Sequence, residues 1–242
     1  MEMETKGIRI SRYLAMSGIA SRRKSEEIVL VGKIKVNGKT VKDLSFKINP
    51  EDTVEYDGKK ISYENTVVIA LNKPPGYLST VKDSFKRKTV LDLLDEKIKQ
   101  LRLYPAGRLD YNSRGLIILT NDGNLAYKLT HPGFSIPKTY QVKIRGHLSG
   151  DDIIKIKKGI EVEGRDLIAE SIKIVKNGKD YCIIEIKIKE GRKRIIRKAL
   201  LKIGHAVIDL QRVSIGKFNI GKIKEGSYIL LSQENITKLK SI

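Results

Sequence analysis

The N-terminal part of the chain shows the spacing of apolar side chains, every three or four residues, that is typical of short helices. This spacing predicts one helix over residues 8–17, which Gly18 ends. A second helix is predicted over residues 22–31, with Ser21 as its N-cap and Gly32 as its end. The chain therefore begins with a pair of helices.

The pattern then changes to the two-residue alternation of β-strands. In KIKVNGKTV, residues 33–41, apolar residues alternate with lysines ahead of Asn37-Gly38, a pair that favours a tight hairpin turn. Residues 58–66 are polar and turn-like, so we predict a linker there. This linker separates a small domain, residues 1–62, from a larger one, residues 67–242.

The larger domain mixes predicted strands and helices without a regular alternation. Strand patterns joined by short turns favour neighbouring antiparallel strands, so we predict an α+β fold with a mixed, mainly antiparallel sheet flanked by helices. The predicted strands are residues 66–73, 116–120, 139–146, 181–189 and 227–232, and the predicted helices are residues 89–100, 124–129, 149–160 and 192–204.

The charge of the chain is far from balanced. Its 242 residues include 48 Lys or Arg and 28 Asp or Glu, a formal net charge of +20. Residues 9–42 hold nine Lys or Arg against two acidic residues, and residues 187–202 hold eight against one. Because like charges repel unless an anion lies against them, a polyanionic partner is the leading hypothesis and a solvated basic surface the alternative.

Cysteine usage and apolar runs limit the class of protein. Cys182 is the single cysteine and lies in a predicted strand, so a disulfide framework is excluded and a reducing compartment is expected. No stretch approaches the roughly 18 consecutive apolar residues of a membrane helix. We therefore expect a cytoplasmic protein without a membrane segment.

The sequence lacks the motifs of several cofactor sites. His131, His147 and His205 are scattered and do not have the spacing of zinc ligands. No glycine pattern matches a phosphate-binding loop or a dinucleotide site. We therefore expect no metal and no nucleotide or other cofactor, which leaves carboxylates as the candidate chemical groups.

One carboxylate stands out in PAGRLDYNSRGLIILTNDG, residues 105–123. In an extended chain Arg108 and Asp110 point to the same side, and Leu109 turns toward the core. A nearby guanidinium favours the ionised carboxylate, which can act as a nucleophile or general base. From spacing alone, a structural ion pair is the commoner arrangement. Tyr140, in a period-two strand, fits a sheet-face residue and a base-stacking platform equally well.

Five segments form an ordered set. Residues 8–42 precede four further motifs, which are LNKPPGYLST at 71–80, PAGRLDYNSRGLIILTNDG at 105–123, KTYQV at 138–142 and EGRKRIIRKALLKIGHAVIDLQR at 190–212. Together they resemble the bacterial ribosomal pseudouridine synthases that carry an N-terminal S4 RNA-binding domain. The resemblance spans nearly the whole chain, and the Arg-Leu-Asp block is its most specific part.

The resemblance implies an isomerase that breaks the glycosidic bond of a uridine in RNA, rotates the uracil and rejoins it through carbon 5. It implies that Asp110 is the catalytic aspartate and that Tyr140 stacks on the uracil. Arg197 is expected to form an ion pair with Asp110, and Arg108 to contact RNA or fill the space left by the flipped base. Leu200 is expected to help line the uracil pocket.

The resemblance also implies an αL-like S4 domain within residues 1–62 and a catalytic domain over residues 67–242. We expect a monomer that binds ribosomal RNA or a pre-ribosomal particle, with 23S rRNA as the substrate and 16S rRNA as the alternative. A non-catalytic ribosome-assembly factor is the rival hypothesis. The residues expected to contact RNA are Arg9, Arg12, Arg22, Arg23, Lys24, Lys33, Lys35, Arg192 and Arg194.

The chain departs from the family at one motif. Family members commonly have the pattern EGRNRQVRRM, whereas this chain has Lys193, Ile195 and Ala199 at three of those positions. Ile195 lacks the polar group with which the usual glutamine contacts RNA, and Ala199 is smaller than the usual methionine of the pocket wall.

Overall fold

The structure is a computed structural model, and it describes residues 7–241. The chain divides into two compact units between Thr66 and Val67, so the first unit reaches Thr66 rather than residue 62. Across residues 7–241, no helix has the length and apolar character needed to cross a membrane.

The elements are numbered in chain order. The helices are α1 (Ile10–Met16), α2 (Arg22–Leu30), α3 (Glu96–Lys99), α4 (Gly123–Thr130), α5 (Gly150–Lys158), α6 (Ile195–Lys202) and α7 (Gln233–Lys240), with 3₁₀ turns at Val90–Leu93 and Pro132–Phe134. The strands are β1 (Ile8–Arg9), β2 (Ile34–Val36), β3 (Lys39–Val41), β4 (Lys47–Ile48), β5 (Val54–Tyr56), β6 (Lys59–Ile61), β7 (Val68–Lys73), β8 (Tyr104–Pro105), β9 (Arg114–Thr120), β10 (Lys138–Arg145), β11 (Ile160–Val162), β12 (Arg165–Leu167), β13 (Ser171–Asn177), β14 (Tyr181–Ile188), β15 (Val207–Ile215), β16 (Phe218–Asn219) and β17 (Tyr228–Leu230).

The first unit packs α1 and α2 beside a four-stranded sheet with the strand order β3-β2-β5-β6. The Oγ of Ser21 accepts a hydrogen bond from the backbone N–H of Lys24, so the predicted N-cap of α2 is confirmed. The predicted hairpin is also confirmed, and Asn37 and Gly38 both take the positive φ that its turn requires.

Two predictions for the first unit are wrong. The first helix begins at Ile10 rather than residue 8, because Ile8 and Arg9 pair with β4 as a short strand. The predicted linker, residues 58–66, includes β6, which pairs with β5 in the four-stranded sheet. Its polar residues lie on an edge strand with exposed side chains, and such a strand looks like a loop in the sequence.

The second unit is built on a nine-stranded sheet. Its main path is β13-β14-β10-β15-β9-β7-β17, and β8 and β16 pair with β9 and β15. All neighbours are antiparallel except β9 and β15, which are parallel. The predicted α+β fold with a mixed, mainly antiparallel sheet is therefore confirmed.

Apolar side chains cover both faces of this sheet. On one face, the larger core includes Ile117, Val142 and Ile184 from the strands and Ile156 and Ile196 from α5 and α6. On the other face, a smaller core joins the strands to α4 and α7. Catalytic or binding groups on β9, β10 and β15 are thereby held on a rigid support.

The structure corrects several elements predicted for this unit. The helix predicted over residues 89–100 is a 3₁₀ turn followed by α3, because Leu94 is extended and Asp95 starts a new helix as its N-cap. Strands β13 and β15, the hairpin β11–β12 and helix α7 were not predicted. Strand β13 has an almost wholly exposed edge position, which removes the alternation that identifies a half-buried strand.

Candidate active site

A cavity of about 580 Å³ opens within the second unit, inside the range of about 300–1,000 Å³ that is typical of ligand sites. Its wall combines the loop between β8 and β9, the start of β10, and the segment between β14 and α6. Asp110, Arg108 and Tyr140 all line this cavity. Residues chosen from two separate sequence motifs are therefore brought together in space.

The loop that carries Asp110 is anchored on its N-terminal side. The Oγ of Ser79 donates to the carbonyl oxygen of Leu109 at 3.0 Å and accepts from the N–H of the same residue at 3.1 Å. Leu109 is buried, as predicted, and Asp110 is half-buried on the cavity wall. The side chain of Asp110 is therefore accessible from the cavity, while its backbone is fixed from behind.

Lys73 anchors the same loop on its C-terminal side. This side chain is fully buried, and its Nζ donates to the carbonyl oxygens of Ser113 at 2.7 Å, Pro74 at 2.9 Å and Tyr111 at 3.3 Å. Burial lowers the pKa of Lys73 to about 8, and the negative charge of Asp110 opposes this shift. Lys73 thus ties the end of β7 to both sides of the turn that follows Asp110.

A close approach of two strands fixes the far end of the loop. Gly115 lies opposite Arg212 in the parallel β9–β15 pair, and a Cβ at Gly115 would lie 2.3 Å from the Arg212 carbonyl oxygen. Gly115 also has a φ of +107°, so only glycine fits. Next to it, Arg114 forms a bidentate ion pair with Asp209 of β15, with Nε 3.2 Å from Oδ1 and Nη2 2.8 Å from Oδ2.

Tyr140 lies in the middle of the sheet. It is opposite Arg212 of β15 on one side and Ile186 of β14 on the other. Its side chain is 7 % exposed, belongs to the larger core and also lines the cavity. The two interpretations of this tyrosine are therefore compatible, because one part of the ring packs in the core and another faces the cavity.

Arg197 does not form the ion pair that we expected with Asp110. Among residues 7–241, no carboxylate lies within 4.0 Å of its guanidinium, whose Nη1 donates to the carbonyl oxygen of Val207 at 3.1 Å. Burial and the charge of Arg194 lower the pKa of Arg197, and Asp110 and Asp209 oppose that shift. The guanidinium of Arg197 is therefore directed to the start of β15, and Asp110 affects it only through its charge.

Leu200 does not line the cavity. It is 1 % exposed and packs in the larger core, as does Ala199 beside it. The apolar wall is supplied instead by Ile195 and Ile196 from the first turn of α6 and by Leu210 of β15. The helix was predicted correctly, but its start, and hence the residues nearest the cavity, could not be read from periodicity alone.

Arg192 lines the cavity but uses its guanidinium within the protein rather than presenting it to RNA. It pairs with the carboxylate of Glu190 and donates to the carbonyl oxygens of Val162, Arg165 and Asp166. It therefore fixes the β11–β12 hairpin against the cavity wall. Its neighbour Arg194 is exposed and lines the cavity, with a positive φ of 54° that turns the chain into α6.

The basic residues predicted to contact RNA in the first unit form two groups. Lys24 and Lys33 are in surface ion pairs with Glu27 and Asp57, and Arg12 is half-buried. The others are exposed and have no carboxylate within salt-bridge distance among the described residues; they are Arg9, Arg22, Arg23 and Lys35.

Three cations that shape the site were not predicted from the sequence. They are Lys73, Lys138 and Arg212. Each carried a signal. Lys73 is a charged residue directly after the apolar run of β7, and Lys138 lies two residues before Tyr140 on the same face of β10. Arg212 interrupts an apolar alternation in β15 and is 5 % exposed. A buried charge within a strand indicates a specific partner or a site.

Comparison with known proteins agrees with this geometry. Residues 67–202 match the family model described as RNA pseudouridylate synthase, and residues 8–54 match the S4 domain. Ribosomal large subunit pseudouridine synthase B of Bacillus subtilis (strain 168) is 38 % identical over 97 % of this chain and 96 % of its own. An uncharacterized RNA pseudouridine synthase of Aquifex aeolicus (strain VF5) is 39 % identical over 96 % of this chain and 93 % of its own.

A solved structure gives the same result for the fold. The crystal structure of a pseudouridylate synthase superimposes with a TM-score of 0.66 and 27 % identity, covering 96 % of this chain and 99 % of the other. The match includes both units of the chain. The family model matches more than half of the chain, and the relatives match it over nearly their whole length. This chain therefore belongs to the RNA pseudouridine synthases, the isomerases that convert uridine to pseudouridine in RNA.

Proposed function

We propose that this enzyme converts a uridine of 23S ribosomal RNA to pseudouridine, with Asp110 as the catalytic carboxylate. The observation that carries the proposal is the position of Asp110, half-buried on the wall of a cavity of about 580 Å³. Its loop is held in place by Ser79 and Lys73. A carboxylate in such a cavity can reach the sugar or the base of a nucleotide that has left the RNA stack.

The groups around Asp110 suit an extruded uridine. A base that leaves the stack loses stacking free energy of a few kcal/mol, which an aromatic ring in the pocket offsets. Tyr140 lines the cavity and is assigned this role. Arg108 is exposed at the same cavity and is assigned to the RNA strand, at the space left by the flipped base.

The reaction is an internal rearrangement. The bond from C1′ to N1 of uracil breaks, the ring rotates, and a bond from C1′ to C5 forms; C5 loses a proton and N1 gains one. Asp110 either attacks the nucleotide or removes a proton from the ribose as the base leaves, and both roles need an ionised carboxylate. Lys73 and Arg197 are the cations whose pKa values respond to the charge of Asp110.

The choice of 23S rRNA rests on similarity to the large-subunit synthase of Bacillus subtilis at 38 % identity. The first unit supports an RNA strand as the partner, because it exposes Arg9, Arg22, Arg23 and Lys35. These cations are assigned to the phosphate backbone, which gives affinity without reading sequence. A ribosomal substrate implies a cytoplasmic location.

The test is to map pseudouridine in ribosomal RNA from a strain that lacks the gene. We expect one 23S position to lose its pseudouridine and to regain it when the wild-type gene is restored. Restoration with Asp110→Ala should leave that position as uridine. A change confined to 16S rRNA would overturn the assignment of the substrate, and pseudouridine restored by Asp110→Ala would overturn the role of Asp110.

A further inference from the structure

Two cations without a carboxylate partner lie in the wall of the cavity. Lys138, at the start of β10, and Arg212, in β15, both line it. Arg212 is directly opposite Tyr140 across the β10–β15 pair, and Lys138 is two residues from Tyr140 on the same face of β10. The two cations therefore lie on the same side of the cavity as Tyr140.

Arg212 is buried, and most of its donors are unused. Its side chain is 5 % exposed, and Nε donates to the carbonyl oxygen of Leu116 at 2.7 Å. Among the described residues, Nη2 is buried without a hydrogen-bond partner. A buried guanidinium donor without an acceptor is costly, and such groups in native proteins usually serve a ligand or a bound water.

Three acidic residues of the described part of the chain line the cavity, and none forms an ion pair with Lys138 or Arg212. Glu190 pairs with Arg192, the exposed Asp166 also acts on Arg192, and the charge of Asp110 acts on Lys73 and Arg197. Burial and the positive charge of Arg212 lower the pKa of Lys138 to about 8, and no carboxylate opposes that shift. Among the described residues, no carboxylate lies within 4.0 Å of the charged nitrogens of Lys138 or Arg212, so the two positive charges are not directly paired.

We propose that Lys138 and Arg212 form an anion subsite that binds a phosphodiester group next to the target uridine. The inference rests on the proposed function, because it takes the anion to be part of the RNA whose uridine enters the cavity. A phosphodiester fits better than the uracil ring. It supplies a full negative charge and two acceptor oxygens for an ammonium and a guanidinium, whereas uracil is neutral.

The subsite has a positional role in the reaction. A phosphate held at Lys138 and Arg212 fixes the ribose attached to it, and hence the distance from C1′ to Asp110. Surface cations bind any stretch of backbone, but this pair binds only the phosphate of a nucleotide that has entered the cavity. Binding energy at the subsite therefore favours the flipped conformation over the stacked one.

The test combines a protein change with a change in the RNA. Two versions of an RNA that the wild-type enzyme converts carry a neutral methylphosphonate, one on the 5′ side and one on the 3′ side of the target uridine. Wild type, Lys138→Met, Lys138→Arg and Lys143→Met are compared by kcat/KM on each RNA. Lys143→Met is the matched control, since it removes one charge from β10 at a residue that contacts Tyr181 rather than the cavity.

We expect Lys138→Met to lower kcat/KM on unmodified RNA by about 10- to 100-fold, because it removes one hydrogen bond between charged groups. One of the methylphosphonate RNAs should show a similar loss with wild type and no further loss with Lys138→Met. Lys138→Arg should keep the discrimination between the RNAs, and Lys143→Met should behave as wild type. Matching unfolding midpoints of Lys138→Met and wild type exclude misfolding as the cause.

The subsite would be overturned if, at both linkages, the loss caused by Lys138→Met multiplied the loss caused by the methylphosphonate. Multiplied losses indicate that the two changes act independently. The same holds if neither methylphosphonate affects wild type. Failure of the wild-type enzyme to form pseudouridine in any ribosomal RNA is a different result, and it would contradict the proposed function itself.

Discussion

The cations of the first unit and those around the cavity of the second unit differ in what surrounds them. Arg9, Arg22 and Arg23 are exposed to solvent. Lys73 is fully buried and bound to three backbone carbonyl oxygens, and Arg212 is buried with Nε on a fourth. The same two residue types therefore occur in two opposite environments within one chain.

We infer from this difference that the exposed cations contribute to RNA affinity and the buried cations to the reaction. Exposed cations attract an RNA backbone through long-range charge, which salt screens and which tolerates small shifts in position. Buried cations hold a loop or a ligand group in one geometry, and a shift of about 1 Å there can change a rate by a factor of about 100. Variants of the two regions should therefore fail in different ways.

The largest expected effect is that of Asp110→Asn, which keeps the shape of the side chain and removes its charge. We expect the rate of pseudouridine formation to fall by about 1,000-fold or more, the scale of a lost catalytic base or nucleophile. The dissociation constant for RNA should stay within a few-fold of wild type. A variant that retained a tenth of the wild-type turnover would show that Asp110 is not catalytic.

Lys73→Met should give the next largest effect. The variant keeps an unbranched apolar side chain and removes the ammonium group that donates to the carbonyl oxygens of Ser113 and Tyr111. Loosening of the Asp110 loop should lower kcat by about 10- to 100-fold, by misplacement of the carboxylate. RNA affinity measured by filter binding should change little. An unchanged kcat would mean that Ser79 and Gly115 hold the loop without Lys73.

A triple change in the first unit, Arg22→Gln with Arg23→Gln and Lys35→Gln, should weaken RNA binding and leave kcat at saturating RNA unchanged. We expect the slope of log affinity against log salt to become shallower by about 2, since each phosphate that the protein no longer neutralises changes it by about 0.7. The control removes three exposed lysines from α5 of the second unit, Lys155, Lys157 and Lys158. An equal change of slope in the control would remove the special role of the first unit.

The smallest effect concerns stability in acid. Hydrogen bonds from the backbone and hydroxyl of Ser149, with a further one from His205, lower the pKa of Asp152 from 3.8 to about 2. Its contribution to folding is present above pH 3.8 and is lost as pH falls to about 2.

We expect Asp152→Asn to lower the free energy of unfolding by about 1 kcal/mol at neutral pH, the scale of a helix cap. The difference from wild type should shrink as the pH falls from about 4 toward about 2. Chemical unfolding at a series of pH values measures both quantities. A difference that stays constant with pH would assign the effect to packing rather than to charge.

The features that the sequence predicted correctly depend on residues that are close together in the chain. Patterns and local spacing predicted the hairpin at Asn37-Gly38, the Ser21 cap and the α+β class, because each depends on neighbours in sequence or on periodicity. Arg108 and Asp110 were identified from a motif, and the structure adds the cavity that both line.

The remaining features depend on contacts between distant segments. Lys73 binds backbone carbonyl oxygens about 40 residues away in the chain. Because every residue type has a backbone carbonyl, the sequence cannot predict this contact. Arg192 was taken for an RNA contact because a basic segment gives no sign that its guanidinium meets the carbonyls of β11 and β12. Arg197 likewise meets Val207, which no motif predicts.

The most direct test of the separation between affinity and chemistry is a single-turnover measurement with increasing concentrations of RNA. The account predicts that the triple variant of the first unit reaches the wild-type rate once RNA is saturating, whereas Asp110→Asn stays inactive at every concentration. A triple variant that remained slow at saturation, or an Asp110→Asn variant whose rate rose with RNA toward that of wild type, would contradict it.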